Sequence, residues 1–156
     1  LFFGLIGLVY SRTHTRLIPE MGGLAQRLPW LAVAFYVAGL ASLGLPGLSG
    51  FVAESHVFLG GFFGSPWTNQ TLTRTLTIVA TMSIVVTAVY VLRGLGQVFQ
   101  GPLARPEYAQ LADATLPERL STGILVTVLA VVGLAPRLFI DLIGNSVVPI
   151  ANRLYQ

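Results

Sequence analysis

Between Arg27 and Arg74 the sequence holds one carboxylate, Glu54, and one imidazole, His56, in a run that is otherwise almost wholly apolar. Binding and releasing a proton is the chemistry these residue types support there. There is no cysteine, and the two histidines lie 42 positions apart with no acidic pair around either, so neither thiolate nor metal chemistry has a foundation. An ionised acid at the centre of a bilayer costs from ~2.5 to more than ~10 kcal/mol, so such an acid is paired, hydrated or protonated, and functional by default. The bland alternative is a helix-end acid at the lipid headgroups. Against it, Glu54 lies 24 residues from Trp30 and 9 from Phe63, well inside the apolar run.

The run from Trp30 to Phe63 is longer than the ~20 residues a helix needs to cross the hydrocarbon core, and Leu45-Pro46-Gly47-Leu48-Ser49-Gly50 breaks it near its middle. Pro46 removes a helical hydrogen bond, Gly47 and Gly50 weaken the helix, and Ser49 is a candidate partner for the freed carbonyls. Membrane helices tolerate such breaks where protein or a water-filled cavity satisfies the backbone. An acid just past the break therefore reads as part of an ion path. His56 is the second candidate, but two positions along a helix is about 200° of rotation, so it joins Glu54 only if the break distorts the helix. Its other reading is a hydrogen-bonded packing histidine. The nearest arginines are 20 and 27 positions away and lysine is absent, so a partner for Glu54 has to come from another helix or another chain.

The elements that position these residues follow from composition. At 54% hydrophobic, 10% charged and a mean hydropathy of +0.76, the chain reads as an all-α membrane protein. Its net charge of +3 comes from nine arginines set between apolar runs, a membrane-flank pattern that does not suggest nucleic acid. Residues 1–10 would cross only half a bilayer and read as the end of a truncated helix; they lack the basic n-region and cleavage site of a signal peptide. Residues 11–29 form a basic loop that Gly22 and Gly23 would loosen, followed by the broken helix 30–63 and turn residues 64–69. A spanning helix over 72–98 comes next. Its many β-branched residues would suggest a strand in water, but in lipid the backbone must be satisfied within the segment, and the alternating pattern of a barrel is missing. A polar connector, 99–118, leads to a last spanning helix, 119–135, and an apolar tail, 136–156, reads as interfacial or irregular.

Loop arginines set the orientation. Arg12, Arg16 and Arg27 lie in the first loop and Arg93, Arg105 and Arg119 around the connector, against Arg74 alone near residues 64–74. The positive-inside rule puts the first loop and the connector on the cytoplasmic or equivalent side. His14, between Arg12 and Arg16, reads as a solvated or loop-anchoring residue, with proton uptake as its functional alternative.

Tyr10-Ser11-Arg12-Thr13-His14-Thr15-Arg16, Met21-Gly22-Gly23-Leu24 and Leu43-Gly44-Leu45-Pro46-Gly47-Leu48-Ser49-Gly50-Phe51-Val52-Ala53-Glu54 resemble the antiporter-like M (chain 4) subunits of proton-pumping NADH:quinone oxidoreductase, respiratory complex I, over the whole chain. The resemblance implies a 14-helix subunit of which this chain holds the end of helix 11, the broken helix 12 and helices 13 and 14. Glu54 then matches the acid of the half-channel leading outward, and the remaining relay residues lie in the missing N-terminal part. His56 gets no support, because the family more often has bulky apolar residues after the acid. No cofactor is implied in this chain; NAD(H), flavin, iron-sulfur clusters and quinone are expected elsewhere in the complex. The implied partners are the L-type and N-type antiporter-like subunits and lipid, in a bacterial inner membrane or a thylakoid or mitochondrial inner membrane. Two alternatives keep the fold: a subunit of a Mrp-type cation/proton antiporter or of a membrane-bound hydrogenase. One of another class makes the chain a structural or assembly module without transport.

Overall fold

The computed structural model describes residues 1–63 and 69–154, and every regular element among them is helical. Helix α1, Phe2–Thr13, buries Leu5, Val9 and Thr13, a stripe with the i, i+4, i+8 spacing of one helix face. It continues three residues beyond the apolar run, and there Thr13 Oγ1 and Ser11 Oγ donate to the carbonyls of Val9 and Leu8 at 3.0 and 2.9 Å. It stops only where His14 turns left-handed (φ 53°) and its N–H donates to the Tyr10 carbonyl at 2.8 Å. Arg12 therefore stands on the last turn of α1, not in the following loop.

Residues 15–28 are ordered by two 3-10 turns, Ile18–Glu20 and Leu24–Gln26. Gly22 and Gly23, expected to loosen this segment, instead let it pack against the connector. At Gly23 (φ +66°) an added Cβ would stand 2.6 Å from the carbonyl carbon of Pro102, and its N–H donates to the Gln100 carbonyl at 3.0 Å. The glycine is there for close approach of two backbones.

Helix α2, Pro29–Ser42, opens with proline at its first position, where the missing N–H costs nothing. It is the central helix, burying Leu31, Ala32, Ala34, Phe35, Ala38 and Ala41 against α1, α4 and α5. Helix α3 is Ser49–Phe63. Helix α4, Gln70–Phe99, starts where the Asn69 side chain accepts the Leu72 N–H at 3.3 Å. At ~1.5 Å per residue its 30 residues reach ~45 Å, and it runs back along both halves of the break, with Leu95 on Gly39 and Thr77 on Gly61. Helix α5, Leu116–Leu134, begins with a capping box between Thr115 and Glu118. Helix α6, Arg137–Leu154, occupies the stretch read from sequence as an interfacial or irregular tail; Arg137 and Asp141 share it with Leu138, Leu142 and Ile143, an amphipathic mix that forms regular helix.

The buried core is concentrated at one end of the bundle. Phe35 meets Phe2 and Phe99, each at 5.1 Å between ring centroids, over Leu5, Leu24, Leu28 and Leu31. The ion pairs among the described residues collect at the same end. Arg105 pairs with Glu20 at 2.8 Å, Tyr108 OH donates to the Glu20 carbonyl at 3.3 Å, and Gln26 Nε2 donates to the Gly101 carbonyl at 2.9 Å. The first loop and the connector thus lie together on one side, as the distribution of arginines requires. Away from this end the apolar surface is bare: Leu72, Leu76, Val79, Met82, Val85, Val86 and Val89 of α4 are all exposed. Helices α4 and α5 are each long and apolar enough to cross a membrane. A face this large and apolar is covered by lipid or by other protein.

Candidate functional site

The break is built from two turn motifs in succession. Gly44 (φ +65°) ends α2: its N–H donates to Ala41 O at 3.3 Å and the Leu45 N–H donates to Leu40 O at 3.1 Å, the paired bonds of a Schellman cap. Then Leu45-Pro46-Gly47-Leu48 closes with the Leu48 N–H on Leu45 O at 3.1 Å, with proline second and a positive-φ glycine (+93°) third, the pattern of a type II turn. Pro46 therefore sits in the linker and removes no helical hydrogen bond, because α2 has already ended at Ser42 and α3 starts only at Ser49.

Two close approaches hold the linker. A Cβ on Gly50 would collide with the Ala41 carbonyl, so the first turn of α3 lies directly on the last turn of α2. A Cβ on Gly133 of α5 would come within 2.5 Å of the carbonyl carbons of Gly47 and Leu48. Ser49, the candidate partner for freed carbonyls, is half-buried at the start of α3, where glycine packing brings the two helix ends together.

Glu54 lies one and a half turns into α3 and is half-buried. Its carboxylate folds back onto the break: a methyl group built on Gly44 would stand 2.9 Å from Glu54 Cδ and 3.3 Å from Oε1, and closer still to Oε2. Glu54, Phe58 and Gly61 share one face at i, i+4 and i+7, and Gly61 presses on Thr77 of α4. Since α3 and α4 are antiparallel, Glu54, seven residues before Gly61, is level with the middle of α4. Among the described residues no ion pair reaches its carboxyl. Arg74, the nearest arginine in sequence, donates from Nε to the Phe62 carbonyl at 3.2 Å, ~12 Å further along the helix axis.

His56 is not brought to Glu54. It is exposed on another face of α3, and its Nδ1 donates to the Val52 carbonyl at 2.7 Å. His14 is exposed at the C-terminus of α1, edge-on to Tyr10, and the Arg16 guanidinium lies 4.6 Å from the centre of the same ring. Arg12 points the other way, into the protein. Its NH2 pairs with Glu118 Oε2 at 2.6 Å, Nε donates to Ala112 O at 2.9 Å and NH1 to Leu8 O at 2.9 Å, tying α1 to the start of α5. A groove of about 340 Å³ between α1 and α4 is lined by apolar side chains with Arg16 at its edge; Glu54 does not line it.

Two residues that the sequence reading passed over matter here. Gly44 carried a local signal: a glycine just past an apolar helix and two residues before a proline is a helix C-cap pattern. Asp113 carried none. It caps α2 from 83 residues away in sequence, accepting the Trp30 N–H at 3.0 Å and the Leu31 N–H at 3.5 Å.

Residues 1–81, which include the whole break and its acid, match the family model described as NADH:quinone oxidoreductase/Mrp antiporter, transmembrane. The chain belongs to this family. Chain 4 1 of the NAD(P)H-quinone oxidoreductase of Trichormus variabilis is 34% identical over 99% of this chain and 29% of its own length. Subunit M of the NADH-quinone oxidoreductase of Rhodobacter capsulatus is 35% identical over 93% of this chain and 27% of its own. Among solved structures, respiratory complex I from Thermus thermophilus with bound NADH superposes with a TM-score of 0.71 at 32% identity, over 88% of this chain and 27% of the matching chain. The chain thus spans less than a third of the length of these relatives. It is an integral membrane chain of the antiporter-like kind.

Proposed function

We propose that this chain forms part of a proton-translocating, antiporter-like subunit of an NADH:quinone or related quinone oxidoreductase, and that Glu54 is one proton-binding group of the path. The observation that carries this reading is the carboxyl of Glu54 folded onto the break between α2 and α3, level with the middle of the longest apolar helix. A carboxyl at that depth changes charge at high cost unless a counter-charge or a proton accompanies it, and this ties its protonation to changes in its surroundings. No lysine exists in the chain and among the described residues no arginine pairs with Glu54, so in this reading the cation or water that completes the path comes from the remaining length of the subunit or from neighbouring antiporter-like subunits. Redox chemistry belongs to other subunits, where NADH, flavin, iron-sulfur clusters and quinone are handled, and the energy reaches Glu54 through the protein. The basic end carrying Arg12, Arg16 and Arg105 faces the cytoplasm, in the reading that puts the complex in a bacterial inner membrane.

The test is Glu54→Gln in the full-length subunit within its assembled complex, in sealed vesicles. Proton translocation per electron falls while the assembled complex is recovered in normal amount. Undiminished translocation in this variant refutes the role. Co-purification of redox subunits with the full-length protein separates an oxidoreductase from a stand-alone cation/proton antiporter.

A further inference from the structure

The Glu54 carboxyl lies against Gly44, in the space a side chain there would take. Gly44 has two independent reasons to lack a side chain: its φ of +65° and the carboxylate lying on its Cα. Gly47, three residues on, has only the first, since at φ +93° the one side-chain atom near its missing Cβ is Leu134 Cδ2 at 3.8 Å, an ordinary contact. Gly50 has only a steric reason, and its obstacle is backbone. The break thus contains three glycines with three different jobs, and one of them is to receive the acid. We infer that Gly44 is a positioning residue for proton transfer, setting where the Glu54 carboxyl oxygens stand relative to the end of α2.

The physical reason is the narrowness of hydrogen-bond geometry. An acid that takes a proton from one donor and gives it to another must hold its oxygens within a few tenths of an ångström and some tens of degrees of both, because the interaction weakens steeply outside that range. A glutamate side chain has three rotatable bonds, and Glu54 sits in a half-buried site with no ion pair to a described residue to hold it. Contact with the Gly44 backbone supplies that restraint. An added methyl group meets a flexible side chain, so the carboxyl yields and swings away while the helix ends stay in place. The inference rests on the proposed role of Glu54 for its functional consequence, but not for the contact itself.

The experiment compares Gly44→Ala, Gly47→Ala, Glu54→Asp and the pair Gly44→Ala/Glu54→Asp in the full-length subunit within its complex. Infrared difference spectra locate the Glu54 carboxyl band by its loss in Glu54→Gln. That band shifts in Gly44→Ala and stays in place in Gly47→Ala, and translocation falls several-fold in the former with a displaced pH profile. The pair regains at least half of the lost translocation, because aspartate is one methylene shorter and clears the new methyl. An unshifted band in Gly44→Ala, equal effects of the two glycine substitutions, or no recovery in the pair overturns the inference. If Gly44→Ala does not assemble, Gly44→Ala/Glu54→Ala decides: recovery of assembly shows that the carboxylate was the obstacle, and failure to recover shows that backbone conformation alone requires the glycine. If Glu54→Gln translocates fully, the proposed function falls, while the band shift still reports whether Gly44 positions the carboxyl.

Discussion

Replacing Asp113 with alanine removes the side chain that, among the described residues, caps α2. The Trp30 and Leu31 amides donate to Asp113 Oδ2 and Oδ1 at 3.0 and 3.5 Å, and neither has an intrahelical acceptor at this end. Loss of a capping aspartate typically costs about 1 and up to about 2 kcal/mol. The same carboxylate approaches Arg119 at 3.6 Å, but that guanidinium is half exposed, and such a pair contributes at most about 1 kcal/mol. The cap therefore dominates. One to 2 kcal/mol is a factor of about 5 to 30 in a local opening equilibrium, so the Trp30 and Leu31 amides should exchange with solvent deuterium about 5 to 30 times faster in Asp113→Ala. Asp113→Asn keeps an oxygen at the cap and loses only the charge, so its exchange stays within about threefold of the parent. Hydrogen exchange read by mass spectrometry on peptides spanning residues 28–34 makes the comparison. Equal acceleration in the alanine and asparagine variants would show that the ion pair, not the cap, holds α2, and no acceleration in either would refute the cap altogether.

The remaining predictions concern close packing and the clasp at the basic end. Gly133→Ala puts a methyl group on the Gly47 and Leu48 backbone, which cannot rotate away; a cost of about 1 to 3 kcal/mol is expected, visible as a lower melting temperature of the purified full-length subunit. Gly39→Ala meets side chains and no backbone, Leu95 Cδ1 at 2.7 Å and Val91 Cγ1 at 3.3 Å, so its melting temperature should fall less than that of Gly133→Ala. Arg12→Ala leaves Glu118 without its guanidinium partner but still bonded to the Thr115 N–H at 2.7 Å, so α5 keeps its cap while α1 loosens from the connector; proteolysis within residues 14–28 should accelerate and α5 should remain protected.

Which features were readable in advance depended on whether their causes are local. The apolar runs, the Pro-Gly break and the single acid just past it are properties of consecutive residues: a turn needs proline and glycine at fixed positions, and a carboxylate in an apolar run declares itself whatever surrounds it. Legible too was the separation of Glu54 from His56, which follows from 100° of rotation per residue. The sequence reading erred where it judged glycines by flexibility alone. Gly22 and Gly23 serve backbone contact with residues 101–104, and Gly44 receives a side chain, facts about neighbours that no local window contains.

From its sequence alone the protein is determined as helical, membrane-embedded, broken near Pro46 and equipped with one acid at the break, because hydrophobicity, turn chemistry and charge act over a few residues. Only the tertiary structure decided that the acid folds back onto Gly44, that α5 braces the break through Gly133, and that Asp113 starts the broken helix from 83 residues away. These depend on which helix faces are pressed together, and that is settled by the packing of the whole bundle.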